Sequence, residues 1–354
     1  MSTLYERTQQ FRRDLLAKER RAAARMTSAY SQAARRISGE LSSVQDAIRV
    51  ARDAGKTNDE IASLLLREGR LTVLREKVLV EVGRFAKEAD VIIGGSIDTA
   101  RDLGRTAAGE LIDLVLPEGI TASPTGPLGQ PVVPATINVP TAAIERVVPA
   151  PTLIAGLPAQ AQEAVGNALA SGLAQGKNPR AVATMMREAL GGNLTRALTI
   201  SRTETLRAYR EASREVYQQN TDVLMGQQWI SALDRRSCPA CIALHGKVFP
   251  LGEVMAAHPN CRCTTAPAPR SPRELGLGNI PGAPPVEDGA SWFRRQDEAT
   301  QREILGPGKF DLYRSRKITL PDLVERRDSP VWGPSSQVAS AAQAEANAAA
   351  RRAS

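Results

Sequence analysis

Aromatic side chains are scarce in this 354-residue chain: five Phe, five Tyr and three Trp make 4% of it. That scarcity argues against a large β-sandwich core, and the abundance of Ala and Arg favours helices. No apolar run approaches the roughly 18 residues of a membrane-spanning helix, so a membrane is not an expected partner. No leader-like segment stands out, and a reducing, cytoplasmic birthplace is the expectation. Proline is absent from residues 1–116, where nothing therefore forbids long helices. Cysteine and histidine are rarest of all, four and two residues, and every one of them falls between Cys238 and Cys263.

That window reads Cys238-Pro-Ala-Cys241, then His245, His258, Cys261 and Cys263. A C-x-x-C pair followed about 20 residues later by His and two more Cys has the ligand types and spacing of a tetrahedral zinc site. Two disulfides, or unliganded core thiols, are the competing readings. The candidate donors are Cys238 and Cys241 with two of His258, Cys261 and Cys263. On a strand, Cys261 and Cys263 would share a face. His245, in a Leu-His-Gly turn, reads as a local hydrogen-bonding residue. The zinc is expected to be structural, because short strands with few aromatics bury little apolar surface and a closed metal site contributes about 10 kcal/mol of apparent binding energy in small zinc domains.

Catalysis is the competing class. A zinc deaminase needs H-x-E ahead of P-C-x-x-C, whereas both histidines here follow the C-x-x-C pair and neither precedes a Glu by two residues. A catalytic zinc keeps an open position for water, and this window offers donors enough to close the site. A thiol-redox role for Cys238 and Cys241 lacks the βαβ context that would support it. The expectation is no enzyme, with a zinc- or thiol-dependent enzyme as the alternative.

The formal charge is +8. Residues 1–36 carry nine Lys/Arg and three acids, a net of +6. Such a segment attracts polyanions through counterion release without reading sequence, making non-specific DNA a candidate partner and Arg12, Arg13, Arg20 and Arg21 candidate contacts. A solvated helix face is the plainer reading. Leu4, Phe11, Leu15, Ala22, Met26, Tyr30, Ile37, Leu41, Val44 and Ile48 recur at steps of three, four or seven. They predict a helical arm over residues 1–116, with a coiled coil as one form of it. Its first helix is expected to bend at Gly39 and end at Gly55, and a capping box at Thr57–Glu60 starts the next. A second helix is expected through Ile61–Phe85 and a third over 97–115. The stripes would bury against each other, against copies of the chain or against a partner.

Nine prolines between 117 and 158 predict a linker over residues 117–159. Asn178-Pro179 starts a helix, Gly191-Gly192-Asn193 breaks it, and the next runs from Leu194 to about Gln219. There Arg207, Arg210, Glu211 and Arg214 are spaced as surface ion pairs. Strand character follows at 227–233, 247–249 and 262–265. Residues 271–354 read as an irregular extension with an Ala-rich, mobile end. The fold class is α+β, mostly α.

The window's surroundings carry a resemblance. Trp229-Ile-Ser-Ala-Leu-Asp234-Arg-Arg236-Ser-Cys238-Pro-Ala-Cys241, Leu244-His-Gly246 and His258-Pro-Asn-Cys261-Arg-Cys263 resemble the signature of phage head morphogenesis proteins related to the F protein of phage Mu. Gly172–Gly176 and Ile200-Ser-Arg202-Thr-Glu204 resemble the helical segments that open that domain. The likeness covers residues 160–270. It implies a minor capsid protein that acts with the portal protein and other head proteins in assembly, resides in the virion head interior after assembly in the host cytoplasm, and contacts packaged DNA or aids its delivery. It also implies that Trp229, Asp234, Arg236, Arg202 and Glu204 support the domain. A non-specific DNA-binding protein using the same domain is the second alternative.

Overall fold

The computed structural model describes residues 3–117, 125–126, 130–131 and 150–353. Most of the expected linker therefore lies outside the described residues; its last part, from Ala150, is helical. The elements, in order, are α1 (Leu4–Asp53), α2 (Asn58–Arg67), α3 (Arg70–Val115), β1 (Thr125–Gly126), β2 (Gln130–Pro131), α4 (Ala150–Ala155), α5 (Leu157–Ala174), α6 (Pro179–Gln218) and β3 (Leu224–Ile230). There follow α7 (Pro239–Leu244), β4 (Val248–Phe249), β5 (Thr264–Pro269), α8 (Gly289–Arg294), α9 (Glu298–Leu305), α10 (Pro307–Arg314), a 3₁₀ turn (Leu320–Leu323), β6 (Val324–Arg327), β7 (Ser335–Val338) and α11 (Ala341–Ala353). The fold is α+β and mostly α. Among the described residues no helix is long and apolar enough to cross a membrane.

The chain divides into two compact units. A helical unit comprises Glu19–Ser96 and Val148–Glu204. Its α1 segment buries Met26, Tyr30, Ile37, Leu41, Val44 and Ile48, and its α3 segment buries Leu74, Val78, Val82 and Phe85. Tyr30 meets Phe85 edge-on at 5.2 Å, and Arg36 bonds the buried Glu81 at 3.3 Å. The apolar stripes of α1 and α3 thus pack on one another within one chain. α1 runs unbroken through Gly39: a helical glycine costs about 1 kcal/mol, and buried Ile37 and Leu41 on either side hold the helix through it. The expected break at Gly191-Gly192-Asn193 is absent for the same reason, since α6 is pinned by buried Leu190 and Ala197 and the Asn193 side chain donates to the Leu190 carbonyl. The break that does occur is at Gly69, whose φ of +68° suits glycine and divides the expected second helix into α2 and α3. The capping box at Thr57 and Glu60 is present.

The second unit comprises Met1–Lys18, Ile97–Val147 and Thr205–Ser354. Its three-stranded antiparallel sheet has the order β4-β3-β5. Prolines 267 and 269 are tolerated in β5 because it is an edge strand. Leu4, Phe11, Leu15 and Leu16 of α1 share a core with Ala107 and Leu111 of α3, Leu206 and Tyr209 of α6, and Ile230 and Ala266 of the sheet. The amino-terminal residues are therefore not an arm separate from the sheet. A Cβ on Gly104 would lie 2.4 Å from the Tyr209 carbonyl oxygen, so α3 and α6 cross here as closely as backbones allow.

The carboxy-terminal segment, expected to be irregular and mobile at its end, is instead folded. Phe293, Ile304, Phe310, Ile318, Leu320 and Leu323 form a core that Ala344 and Ala348 of α11 close. The sequence conceals this because alanine carries little hydrophobic signal yet lets a helix approach closely. Arg351 anchors α11, donating from Nε and Nη2 to Asp322 at 3.0 and 3.1 Å. Burial pushes the Asp322 carboxyl up, but the hydrogen bonds from Arg351 and Thr319 outweigh it and hold it below its ordinary value. A depressed carboxylate stabilises the fold above its unfolded pKa of about 3.9 and loses that contribution as pH falls through the lower folded value. Amide exchange over 341–353 should therefore quicken selectively as the pH drops below about 4. In Asp322→Asn it should already be fast at pH 7.

Candidate metal centre

The centre is built in the second unit by a turn, a short helix and the approach to β5. Leu233 takes a positive φ of 52°, and Asp234 then organises the turn. Its Oδ1 accepts from the Arg236 amide at 2.9 Å and from Ser237 Oγ at 3.2 Å. That turn delivers Cys238 as the cap of α7, with Pro239 in the first helical position; Cys238 Sγ accepts from the Cys241 amide at 3.3 Å. On the opposite wall, Asn260 adopts φ of +62°, and the Cys261 amide donates to the His258 carbonyl. Cys261 and Cys263 precede β5 rather than lie on it. Both are nonetheless buried and face Cys241.

Five donors converge. Cys238 Sγ lies 3.3 Å and Cys241 Sγ 3.4 Å from His258 Nε2, and Cys241 Sγ lies 3.7 Å from Cys261 Sγ. Cys238, Cys241 and His258 form one group whose donor atoms lie within 4.8 Å of one another, and Cys241, Cys261 and Cys263 form another. A tetrahedral ion about 2.3 Å from thiolate sulfur and about 2.0 Å from imidazole nitrogen requires donor separations of about 3.8 Å between sulfurs and about 3.5 Å between sulfur and nitrogen. The observed distances match. His258 Nδ1 lies 2.8 Å from the Pro259 carbonyl, which can only accept, so Nδ1 carries a proton and Nε2 is the nitrogen that faces the cluster.

The electrostatics agree. The hydrogen bond with Cys241, with help from His258, holds Cys238 down to about 5, and hydrogen bonds from Cys241 and Cys263 push Cys261 well below its ordinary value. Burial lowers His258, but the sulfurs of Cys238 and Cys261 more than reverse this, to about 11. Hydrogen bonds with the neighbouring sulfurs raise Cys241 well above its ordinary value, and Cys263 is raised too. Two of the four thiols, Cys238 and Cys261, thus favour the thiolate and give the pocket the negative charge that a cation relieves. The cluster opens on a small cavity of about 70 Å³ bordered by Arg12, Asp234, Asn260 and Arg262.

Other candidate residues fall in different places. Trp229 is buried and packs with Cys241, Cys261 and Cys263. Asp234 acts through the turn, and the exposed Arg236 meets it twice, through its amide at 2.9 Å and through its guanidinium at 3.5 Å. Arg202 binds the buried Glu19 at 2.8 Å in the helical unit, where Glu204 is also buried. His245 stays outside the donor cluster: its Nδ1 accepts the Ser231 amide at 2.9 Å, and burial lowers it to about 4. Arg12 is not a free surface cation. It is partly buried, borders the thiol cavity and lies near Asp234 and Cys263. Arg13, Arg20 and Arg21 are exposed.

Helical spacing misread two α6 residues as surface cations, Arg210 and Arg214, both of which are buried. Arg210, expected in a surface pair, is buried and donates Nη1 to the Cys263 carbonyl at 3.0 Å. Only its place on the face of α6 that carries Leu206 and Tyr209 could have hinted at burial.

A family model described as Phage Mu protein F like protein matches residues 163–266. Comparison with curated proteins and with solved structures produced no match. The matched stretch runs from α5 through the first residues of β5 and contains all five clustered donors. Over residues 163–266, the stretch that holds the donor cluster, the chain is similar to the phage Mu F-like family.

Proposed function

We propose that the protein is a structural minor head protein, assembled at the portal and held in the head interior with packaged DNA, and that its metal is a structural zinc ion. The single observation behind this reading is that the segment matching the family contains a cluster with donors enough to close a tetrahedral site. A closed site leaves no position for substrate or activated water, which favours scaffolding over catalysis. Cys238, Cys241, His258 and Cys261 would be the ligands, since the closest donor contacts join them. Cys263 would brace the site through its carbonyl bond from Arg210.

The stripes of α1 and α3 are buried within the chain, so docking would use other surfaces. Val73, Val80 and Val91 are exposed along one line of α3, at steps of seven and eleven residues. That line is our candidate for contact with other head proteins. The test is assembly in cells with and without the gene. The protein should copurify with proheads at defined stoichiometry and carry one zinc per chain under reducing conditions. A metal-free folded protein would defeat the zinc reading, and normal, infectious heads formed without the protein would defeat the head role.

DNA contact would rest on Arg13, Arg20 and Arg21. Changing all three to Ser should weaken duplex binding equally for unrelated sequences. Removing up to three phosphate contacts should lower the slope of log affinity against log salt by about 3. Electrophoretic titrations at several salt concentrations measure both quantities, and an unchanged slope would exclude these residues.

A further inference from the structure

In the second unit, α6, the loop after β4 and the β6–β7 hairpin enclose a cavity of about 310 Å³. Arg207, Arg210, Glu211 and Arg214 line it from one face of α6, Glu253 from the loop and Arg326 from β6. Four guanidinium groups thus face two carboxylates, a lining of net charge +2. Both carboxylates are engaged, Glu211 by Arg214 and Glu253 by Arg326 at 3.1 Å. Arg210 is 7% exposed and has no ion pair among the described residues; its bond to the Cys263 carbonyl uses one of five donors. A guanidinium buried without a carboxylate costs stability unless another anion meets it. The nearby thiols supply part of that field, and a bound divalent ion would offset it. Trp332, with Val254 and Met255, adds a flat, apolar wall to the same cavity.

We propose that this cavity binds a phosphate monoester attached to a flat ring, that is, a nucleotide, either free or at the 5′ end of a nucleic-acid strand. Guanidinium forks match phosphate oxygens two at a time. A lining of +2 balances a monoester, which carries nearly two negative charges at neutral pH, better than it balances a carboxylate. Trp332 offers the stacking face that every base accepts. The volume falls at the lower end for small-molecule sites, roughly 300–1,000 Å³.

The experiment is calorimetric titration of the full, metal-loaded chain with deoxyadenosine monophosphate, inorganic phosphate and deoxyadenosine. The monophosphate should bind best and the nucleoside not at all. Arg326→Gln, at a largely exposed position that should tolerate it, should weaken binding by about tenfold or more, the loss of one charge-assisted hydrogen bond. It should leave the metal content unchanged, which keeps this test separate from that of the metal centre. Arg210→Gln should abolish binding. Short oligonucleotides with and without a 5′ phosphate identify the source: preference for the phosphorylated one assigns strand ends, and binding of neither, while the monophosphate binds, assigns free nucleotide. No binding of the monophosphate at millimolar concentration, or unchanged binding in both variants, overturns the site. Inorganic phosphate binding as tightly as the nucleotide overturns the role of Trp332.

Discussion

Cys241→Ser is expected to release the metal and loosen residues 229–265 while the helical unit stays folded. Cys241 is the one thiol common to both donor groups, within 3.4 Å of His258 Nε2 and 3.7 Å of Cys261 Sγ. Serine removes the thiolate at the point the two groups share and leaves a hydroxyl among buried sulfurs. The sheet has little to offset the loss, since β4 has two residues and β5 six, and bound structural zinc is worth on the order of 10 kcal/mol of apparent binding energy in small domains. Metal analysis by mass spectrometry and amide exchange read the two effects separately. Retained metal would remove Cys241 from the donor set. Lost metal with unchanged exchange would show that the ion does not stabilise the fold. Cys263→Ser is the companion variant and should keep the ion.

Deleting residues 1–18 is expected to unfold the sheet-containing unit instead of freeing an independent domain. Leu4, Phe11, Leu15 and Leu16 are buried in its core, and burial of each such side chain contributes about 1.5–3 kcal/mol. Their sum, on the order of 10 kcal/mol, matches the whole net stability of a typical domain, about 5–15 kcal/mol. The truncation would also remove the Gln9 side-chain bond to the Ser231 carbonyl at 2.9 Å and the Tyr5 hydroxyl bond to the Ala232 carbonyl at 3.0 Å. Both support the strand end that leads into the metal turn. Circular dichroism and metal content of the truncated chain test this. A folded, metal-loaded product would mean that the shared core is dispensable. Leu15→Ala is the graded control, with an expected cost of about 2–5 kcal/mol in denaturant unfolding.

Much of the site was legible because its signal is chemical and local. Cys238, Cys241, His258, Cys261 and Cys263 announce themselves by rarity and spacing, and the structure brings those five together. The cap at Thr57 and the start at Pro179 were legible for a similar reason, since each depends on residues within one helical turn. Glycine was read less well. Gly39, Gly191 and Gly192 pass inside helices, while Gly69 ends one, because packing on either side decides whether a cost of about 1 kcal/mol is tolerated.

By itself, the sequence determined which residue types could form a metal centre, that the chain is mostly helical, and which segment carries the phage Mu F-like signature. The first two follow from composition and from spacing along the chain, and the third from the resemblance of its motifs to a known family. Tertiary structure alone decided that Leu4–Leu16 complete the core of the sheet unit, that Arg12 and Arg210 flank the thiol cluster and are not free surface cations, and that the alanine-rich end docks as α11. Those outcomes join residues up to about two hundred positions or more apart. Periodicity reports which face of a helix is apolar, and only the folded chain chooses what that face meets.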